Sequence, residues 1–153
     1  MRARGFTLLE LVLVLLLAGL LAALVAPSVS RTLESSRLRG GAAQLRATFS
    51  AARAMSTSAG KERSVVVDIE AGEYGVVGEV GRRVLPDGIS IRSIRVGGAI
   101  VDGGRASGGS PVARVRFFPD GSAEEAELVL SSTGGGTATV AVDPLTGIAE
   151  ARP

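Results

Sequence analysis

The chain changes its hydrophobic rhythm twice. From Phe6 to Ala26 it is apolar almost without interruption, and Glu10 is the single charge in the run. At about 1.5 Å rise per residue a helix over that run spans roughly 32 Å, enough to cross the roughly 30 Å hydrocarbon core of a bilayer. The pattern predicts a transmembrane helix over residues 6–29. A conventional secretory signal has a shorter apolar core followed by a small-x-small cleavage site, whereas this run ends in Ala-Pro-Ser-Val-Ser-Arg, Ala26 to Arg31. Pro27 removes the hydrogen bond to the carbonyl of Ala23, so its ring is expected to kink or loosen the helix where it leaves the bilayer. One kinked helix continuing to about residue 59 is the preferred reading. A separate helix capped by Ser28 or Ser30 is the alternative.

The second rhythm is amphipathic. Leu38, Ala42, Leu45, Phe49 and Ala52 recur at spacings of four and three, which puts them on one helical face with a core to meet. Gly40-Gly41 weakens that helix by about 1 kcal/mol per glycine relative to alanine and suggests looseness there. The helix is expected to stop near Ser58-Ala59-Gly60, with glycine at the cap.

From Arg63 the period becomes two and β-branched residues dominate. Ser64 to Glu70 and Glu73 to Val77 read as a hairpin about Ala71-Gly72. Pro86-Asp87-Gly88 and Pro119-Asp120-Gly121 read as turns. Between them Ile89 to Val96 alternates with one slip in phase, which predicts a bulge. Gly97-Gly98 is read as the end of that strand, and the Gly- and Ser-rich stretch to Pro111 as an exposed loop with an apolar island at Ala99 to Val101. Strands are expected at 113–118, 126–131, 137–142 and 148–151, the last after the turn Asp143 to Gly147. A helix followed by an antiparallel meander makes an α+β layered domain over 30–153, with the helix continuation at 30–59 and antiparallel β at 60–153.

Composition narrows the function. A chain of 153 residues has room for the apolar helix and one small core. It contains no histidine and no cysteine, so His- and Cys-based zinc sites, Ser-His-Asp triads and thiol nucleophiles are excluded. Gly60-Lys61 is followed by Glu62 and lacks the spacing of a phosphate-binding loop, and Glu124, Glu125 and Glu127 lie beside a turn as a solvated edge. Neither an enzyme nor a cofactor is expected. Lys61 is the only lysine among 17 basic residues, so the isoelectric point near 9.9 reflects arginine on a chain of net charge +2.

The order of parts at the amino terminus is specific: a short basic leader, Met1-Arg2-Ala3-Arg4-Gly5, then Phe6-Thr7-Leu8-Leu9-Glu10, then the apolar run. This resembles type IV pilins and type II secretion pseudopilins. The segment Val115 to Ser122, a strand, and then Val140 to Gly147 is similar to the carboxy-terminal half of the GspH/FimT minor pilin family, although Ile148 stands where many relatives have arginine. The resemblance implies a pilin-like fold, removal of leader 1–5 by a prepilin peptidase cutting between Gly5 and Phe6, and methylation of Phe6. It also implies an assembly role for Glu10. A carboxylate inside a membrane helix costs roughly 2.5 to 3.5 kcal/mol near the centre and less near an end. The Phe6 amine freed by cleavage, of the same or a neighbouring chain, is a fitting partner; snorkelling to the interface is the alternative.

Read this way, the chain is a minor pseudopilin assembling near the tip of a periplasmic fibre. Its implied partners are the major pseudopilin, the other minor pseudopilins, the prepilin peptidase, the inner-membrane platform and membrane lipid. It would be a single-pass inner-membrane protein with its amino terminus in the cytoplasm. A FimT-like minor type IV pilin that binds nucleic acid is the second reading. Arg39, Arg46 and Arg53, seven apart on one side of the helix, with Arg82-Arg83 and Arg105, would supply phosphate contacts. These arginines also serve simply to solvate the helix. A membrane-tethered domain that joins no fibre is the third.

Overall fold

The computed structural model describes residues 7–102 and 112–152, and the side chains of all of these except 22–31. The leader 1–5, the Gly5/Phe6 cleavage site and Arg105 lie outside the described residues. The chain divides into two units, Met1–Leu33 and Glu34–Pro153.

Helix α1 runs Leu8–Ala59, 52 residues. Its backbone stays helical through Pro27, so no second helix starts at Ser28 or Ser30. The ring of Pro27 is outside the described side chains. Along the first unit the leucines and valines from Leu8 to Leu17, with Leu20 and Leu21, are exposed. Among the described residues no helix is long and apolar enough to cross a membrane. The described side chains of the apolar run stop at Leu21 and resume at Thr32.

In the second unit the predicted stripe is the buried face of α1: Leu38, Ala42, Leu45, Phe49 and Ala52 are all buried, the last three completely. Full burial of a side chain like Leu45 or Phe49 contributes about 1.5 to 3 kcal/mol. Gly41 is no point of looseness. A Cβ built there would lie 3.3 Å from Pro86 Cδ and 3.6 Å from Leu85 Cδ2, so the missing side chain is what lets the Pro86 turn approach the helix. Helix α1 ends as expected. Gly60 takes φ 61°, and Lys61 N donates to Ser56 O at 3.2 Å, the wide closing bond of a Schellman cap.

Among the described residues nine strands follow: β1 Arg63–Asp68, β2 Glu73–Val76, β3 Arg83–Val84, β4 Ile89–Val96, β5 Ala99–Asp102, β6 Val112–Phe117, β7 Ala126–Ser132, β8 Thr137–Val142 and β9 Ala149–Arg152. They form two antiparallel sheets rather than one meander, in the orders β3-β2-β1-β6 and β5-β4-β7-β8-β9. The departure is β6, which follows β5 in sequence but leaves its sheet and pairs along the whole of β1, from Arg63↔Phe117 to Asp68↔Val112. The bulge in β4 falls between Ile91 and Ser93, where the register against β7 shifts and the phase slip placed it. Gly97-Gly98 does not end the sheet. With φ of 55° and 83° the pair makes a two-residue hairpin turn, and Ala99–Asp102 returns as β5 against β4. Strand β3, which carries no alternation of its own, is also beyond the sequence reading. One cluster of buried residues joins the stripe of α1 to the inner faces of both sheets, with Phe49 and Phe117 rings 6.0 Å apart.

Candidate functional site

Thr7 and Glu10 open α1. The N–H of Glu10 donates to Thr7 Oγ1 at 3.3 Å, and Leu11 N donates to Thr7 O at 3.2 Å. Thr7 is therefore the N-cap and Glu10 the third helical residue, the Thr-x-x-Glu spacing of a capping box. The sequence reading gave Glu10 one task, a cation, and overlooked this second one, although the spacing alone shows it.

The three arginines at spacing seven separate in the structure. Arg39 and Arg46 are exposed. Arg39 stands beside a hollow of about 260 Å³ with Ala42, Ala138, Ala151 and Arg152. Arg53 is half-buried, and its Nε donates to the carbonyl oxygens of Thr146 at 2.7 Å and Gly121 at 3.3 Å. One turn later Ser56, fully buried, donates its hydroxyl to Phe118 O at 2.8 Å. Helix α1 thus grips two turns at once.

Those turns are built to be gripped. In the first, Gly121 N donates to Phe118 O at 3.0 Å, and Asp120 Oδ1 accepts from the backbone N–H and the hydroxyl of Ser122. In the second, Gly147 N donates to Asp143 O at 2.8 Å, and Asp143 Oδ1 accepts from the N–H groups of Leu145 and Thr146 and from the Thr146 hydroxyl. Bonds from the Ser122 hydroxyl and N–H hold the Asp120 carboxyl below the usual carboxylate range, and those from the Thr146 N–H and hydroxyl do the same for Asp143. The turns touch directly: Ala123 N donates to Pro144 O at 3.0 Å, and a Cβ on Gly147 would collide with Gly121 O.

A second grip lies nearer the start of the unit. Thr133 Oγ1 donates to Glu34 Oε1 at 2.9 Å, and the Glu34 carboxylate lies against Gly134, where any Cβ would displace it. Around the sheets two arginines pair across neighbouring strands or turns: Arg95 with Glu127 at 2.9 Å, Arg116 with Glu124 at 3.2 Å. Among the described residues no group of three His, Cys, Asp or Glu side chains could hold a metal ion. What this geometry does chemically is dock and cap. In the second unit it holds a helix against two sheets, and in the first it caps the start of an apolar helix.

The family model described as type II transport protein GspH matches residues 41–146, from the Pro86-facing glycine of α1 to the Asp143 turn. The chain belongs to that family. The model of the prokaryotic N-terminal methylation motif matches residues 1–26. Among solved structures, the minor pseudopilin EPSH from the type II secretion system of Vibrio cholerae is similar, with 12% identity, 76% of this chain and 94% of that chain covered, and a TM-score of 0.58. The type IV minor pilin FimU of Pseudomonas aeruginosa is similar as well, with 12% identity, 78% and 91% covered, and a TM-score of 0.56. At such identities the likeness shows the fold, α+β and pilin-like. No curated protein matches the chain. In this GspH-family chain both gripped turns lie within the matched residues or one residue past them, and Ile148 is exposed. The guanidinium at that turn comes from Arg53 of the helix.

Proposed function

We propose that this GspH-family chain is a minor pseudopilin of a type II secretion system, cut between Gly5 and Phe6, methylated at Phe6 and assembled near the tip of a periplasmic fibre. Residues 1–5 are its leader, 6–29 its span of the inner membrane with the amino terminus in the cytoplasm, and 30–153 its periplasmic domain. Its partners are the major and other minor pseudopilins, the prepilin peptidase and the inner-membrane platform. The observation that carries this reading is one chain holding both a methylation-motif match at 1–26 and a GspH match at 41–146. A run of exposed leucines opening on a capped, acidic first turn supports an anchor that also meets other helices. The test is the intact mass of the chain purified from membranes of cells with and without an active prepilin peptidase. A chain still beginning at Met1 when the peptidase is active sinks the proposal.

The likeness to FimU, nearly as close as that to EPSH, favours a type IV pilus as the second reading. In it the exposed Arg39 and Arg46 are candidates for phosphate contact, while the Nε of Arg53 is already committed to two carbonyls. Salt-dependent binding of duplex DNA, lost on Arg39→Ala with Arg46→Ala, would support it; binding unchanged by the pair would end it.

A further inference from the structure

One edge of the five-stranded sheet is open, and α1 runs beside it. Strand β9 pairs with β8 alone, in the register Thr139↔Arg152 to Val142↔Ala149. Asp143 N donates to Ile148 O at 3.0 Å in continuation of that register, and bonded pairs alternate with unbonded ones along an antiparallel ladder. Ala141↔Glu150 and Thr139↔Arg152 are therefore the bonded pairs. The N–H and C=O groups of Ala149 and Ala151 point the other way, to an edge that no strand covers among the described residues. Charged side chains ordinarily blunt such an edge. Here Glu150 and Arg152 alternate with the buried Ala149 and pair with each other at 2.8 Å, so the inner side of the edge is left to alanine.

Between that inner side and α1 the packing is incomplete. The hollow of about 260 Å³ beside Arg39 is lined by Ala42, Ala138 and Ala151, with Arg152 at its rim. Three alanines meet where the core elsewhere sets leucine, valine or phenylalanine, which leaves room for one large apolar side chain. Along α1, Arg39 precedes Ala42 and Arg46 follows it. Arg53, seven residues further on, bonds the turn that leads into β9, so this line of arginines faces the strand. From Ser35 to Ala59 the helix carries four arginines and no carboxylate. The ion-paired arginines are Arg82, Arg95, Arg116 and Arg152; Arg39 and Arg46 are in no ion pair among the described residues. The carboxylates around β9, Glu125, Asp143 and Glu150, border a separate hollow over Ala141 on the outer face, and Glu34 is bonded to Thr133.

We propose that this seam takes an added strand: an extended acidic segment of a different pilin-class subunit pairs along β9 and seats one large apolar side chain in the alanine hollow. The source of the strand rests on the reading of this chain as a fibre subunit, whereas the chemistry of the seam does not. Laid antiparallel like every neighbour in the sheet, the segment meets the free backbone groups of Ala149 and Ala151. Its residue opposite Ala151 points to the inner side and into the hollow. The residues two before and two after point the same way, each about 6.7 Å along the strand. Arg39 and Arg46 stand about 4.5 Å and about 6 Å along the helix on either side of Ala42, so carboxylates at those two positions come within reach of both guanidinium arms. The fitting pattern is acidic-x-apolar-x-acidic. A second copy of this chain does not supply it, because its β9 brings only alanine to an alanine hollow and sets its own Arg39 and Arg46 against these. Duplex DNA would use the arginines but neither the hollow nor the free N–H groups. One seam takes one strand, which suits a subunit with a single place near a fibre tip.

The probe is a fluorescein-labelled peptide, Thr-Glu-Thr-Leu-Thr-Glu-Thr, titrated by fluorescence anisotropy against the full chain in detergent. Saturable binding is expected, weakened at least tenfold by serine in place of its leucine, by lysine in place of both glutamates, or by N-methylation of the leucine, which removes the N–H that Ala151 O would accept. On the chain, Ala151→Leu fills the hollow from an exposed position, and Arg39→Glu with Arg46→Glu reverses its two free charges. Each should weaken binding at least tenfold with unchanged thermal unfolding. In cells, photoreactive p-benzoylphenylalanine at Ser50, exposed one turn past Arg46, should crosslink to another pilin-class subunit and lose that product when Ala151→Leu is added. The proposal is overturned if the peptide does not bind, if binding is indifferent to the leucine or to its N-methylation, or if the crosslinks go only to a second copy, to DNA or to a protein outside the pilin class. A chain that keeps Met1 beside an active prepilin peptidase ends the fibre reading yet leaves peptide binding untouched, so the two failures are told apart.

Discussion

Arg53 offers the sharpest perturbation, because sequence and structure give it different work. As one of three arginines spaced seven apart it reads as a surface cation; in the structure its Nε joins α1 to both turns. The bond to Thr146 O, 2.7 Å, is short and comes from a charged donor, which places it at about 1.5 to 2 kcal/mol; the one to Gly121 O, 3.3 Å, is long and adds about 0.5. Both carbonyls belong to surface turns that water reaches once the side chain is gone, so the lower half of the range applies. Arg53→Ala should therefore destabilise the domain by about 2 kcal/mol, with the apolar stem included. For a domain of this size that lowers Tm by roughly 6 to 12 °C.

The assay is thermal unfolding of the full chain in detergent, followed by far-ultraviolet circular dichroism, beside Arg46→Ala as the exposed control. Arg46→Ala should stay within about 0.5 kcal/mol of the parent. Arg53→Lys should recover little, since an ammonium cannot present the planar donor of a guanidinium at the same place. Equal melting temperatures for Arg53→Ala and Arg46→Ala would refute the clamp and return Arg53 to the surface.

Three further outcomes are expected. Gly147→Ala forces a left-handed residue at φ 61° and drives a methyl toward Gly121 O, so it should cost about 2 to 4 kcal/mol in the same melt; combined with Arg53→Ala its effect should be less than additive, since both loosen one contact. The Asp143 carboxyl has a depressed pKa in the folded chain and about 3.9 when unfolded, so its contribution is present above about pH 4 and is lost as pH falls through the folded value; denaturant titrations from pH 7 to pH 3 should show a shallower loss for Asp143→Asn than for the parent. Glu10→Ala should leave membrane insertion intact or improved yet abolish crosslinking to neighbouring subunits at matched membrane levels, and full crosslinking would show that the carboxylate only snorkels.

Periodic features were legible, and single contacts were not. The stripe from Leu38 to Ala52 could be read because a buried helix face repeats, and the β4 bulge because the pairs Ile89/Ile91 and Ile94/Val96 cannot share one face without an extra residue between them. The cap at Gly60 and the turns at Gly88 and Gly121 follow from glycine's access to positive φ, which the chain uses at all three. At Gly97-Gly98 the strand does stop at Val96, as read, but two glycines serve equally well to open a loop or to reverse the chain, and the four residues of β5 are too few to show alternation. The assignment of β6 to the other sheet depends on pairing with β1 across more than forty positions, which no local pattern records. Arg53 was illegible for a further reason. Its acceptors are backbone carbonyls 68 and 93 residues away, and a carbonyl has no letter in the sequence.

The same limit applies in reverse at the amino terminus, where the letters say more than a charge count does. In a hydrocarbon surrounding, the unpaired N–H groups of a first helical turn cost several kcal/mol each, so a helix that begins inside or at the edge of a bilayer needs acceptors before it needs anything else. Thr7 supplies one, to the N–H of Glu10. A glutamate at the third helical position lies within reach of the N-cap N–H and at the positive end of the helix dipole. Glu10 is then less expensive in the membrane than an isolated carboxylate, before any neighbouring chain is considered. It follows that size and charge at this position separate two functions. Glutamine keeps the capping geometry of the box but no charge, so a helix start that needs only capping tolerates Glu10→Gln, whereas a partner amine held by Coulomb attraction does not. Loss of assembly in both Glu10→Ala and Glu10→Gln, with insertion retained, would place the essential interaction between chains; assembly retained in Glu10→Gln would place it within the helix itself.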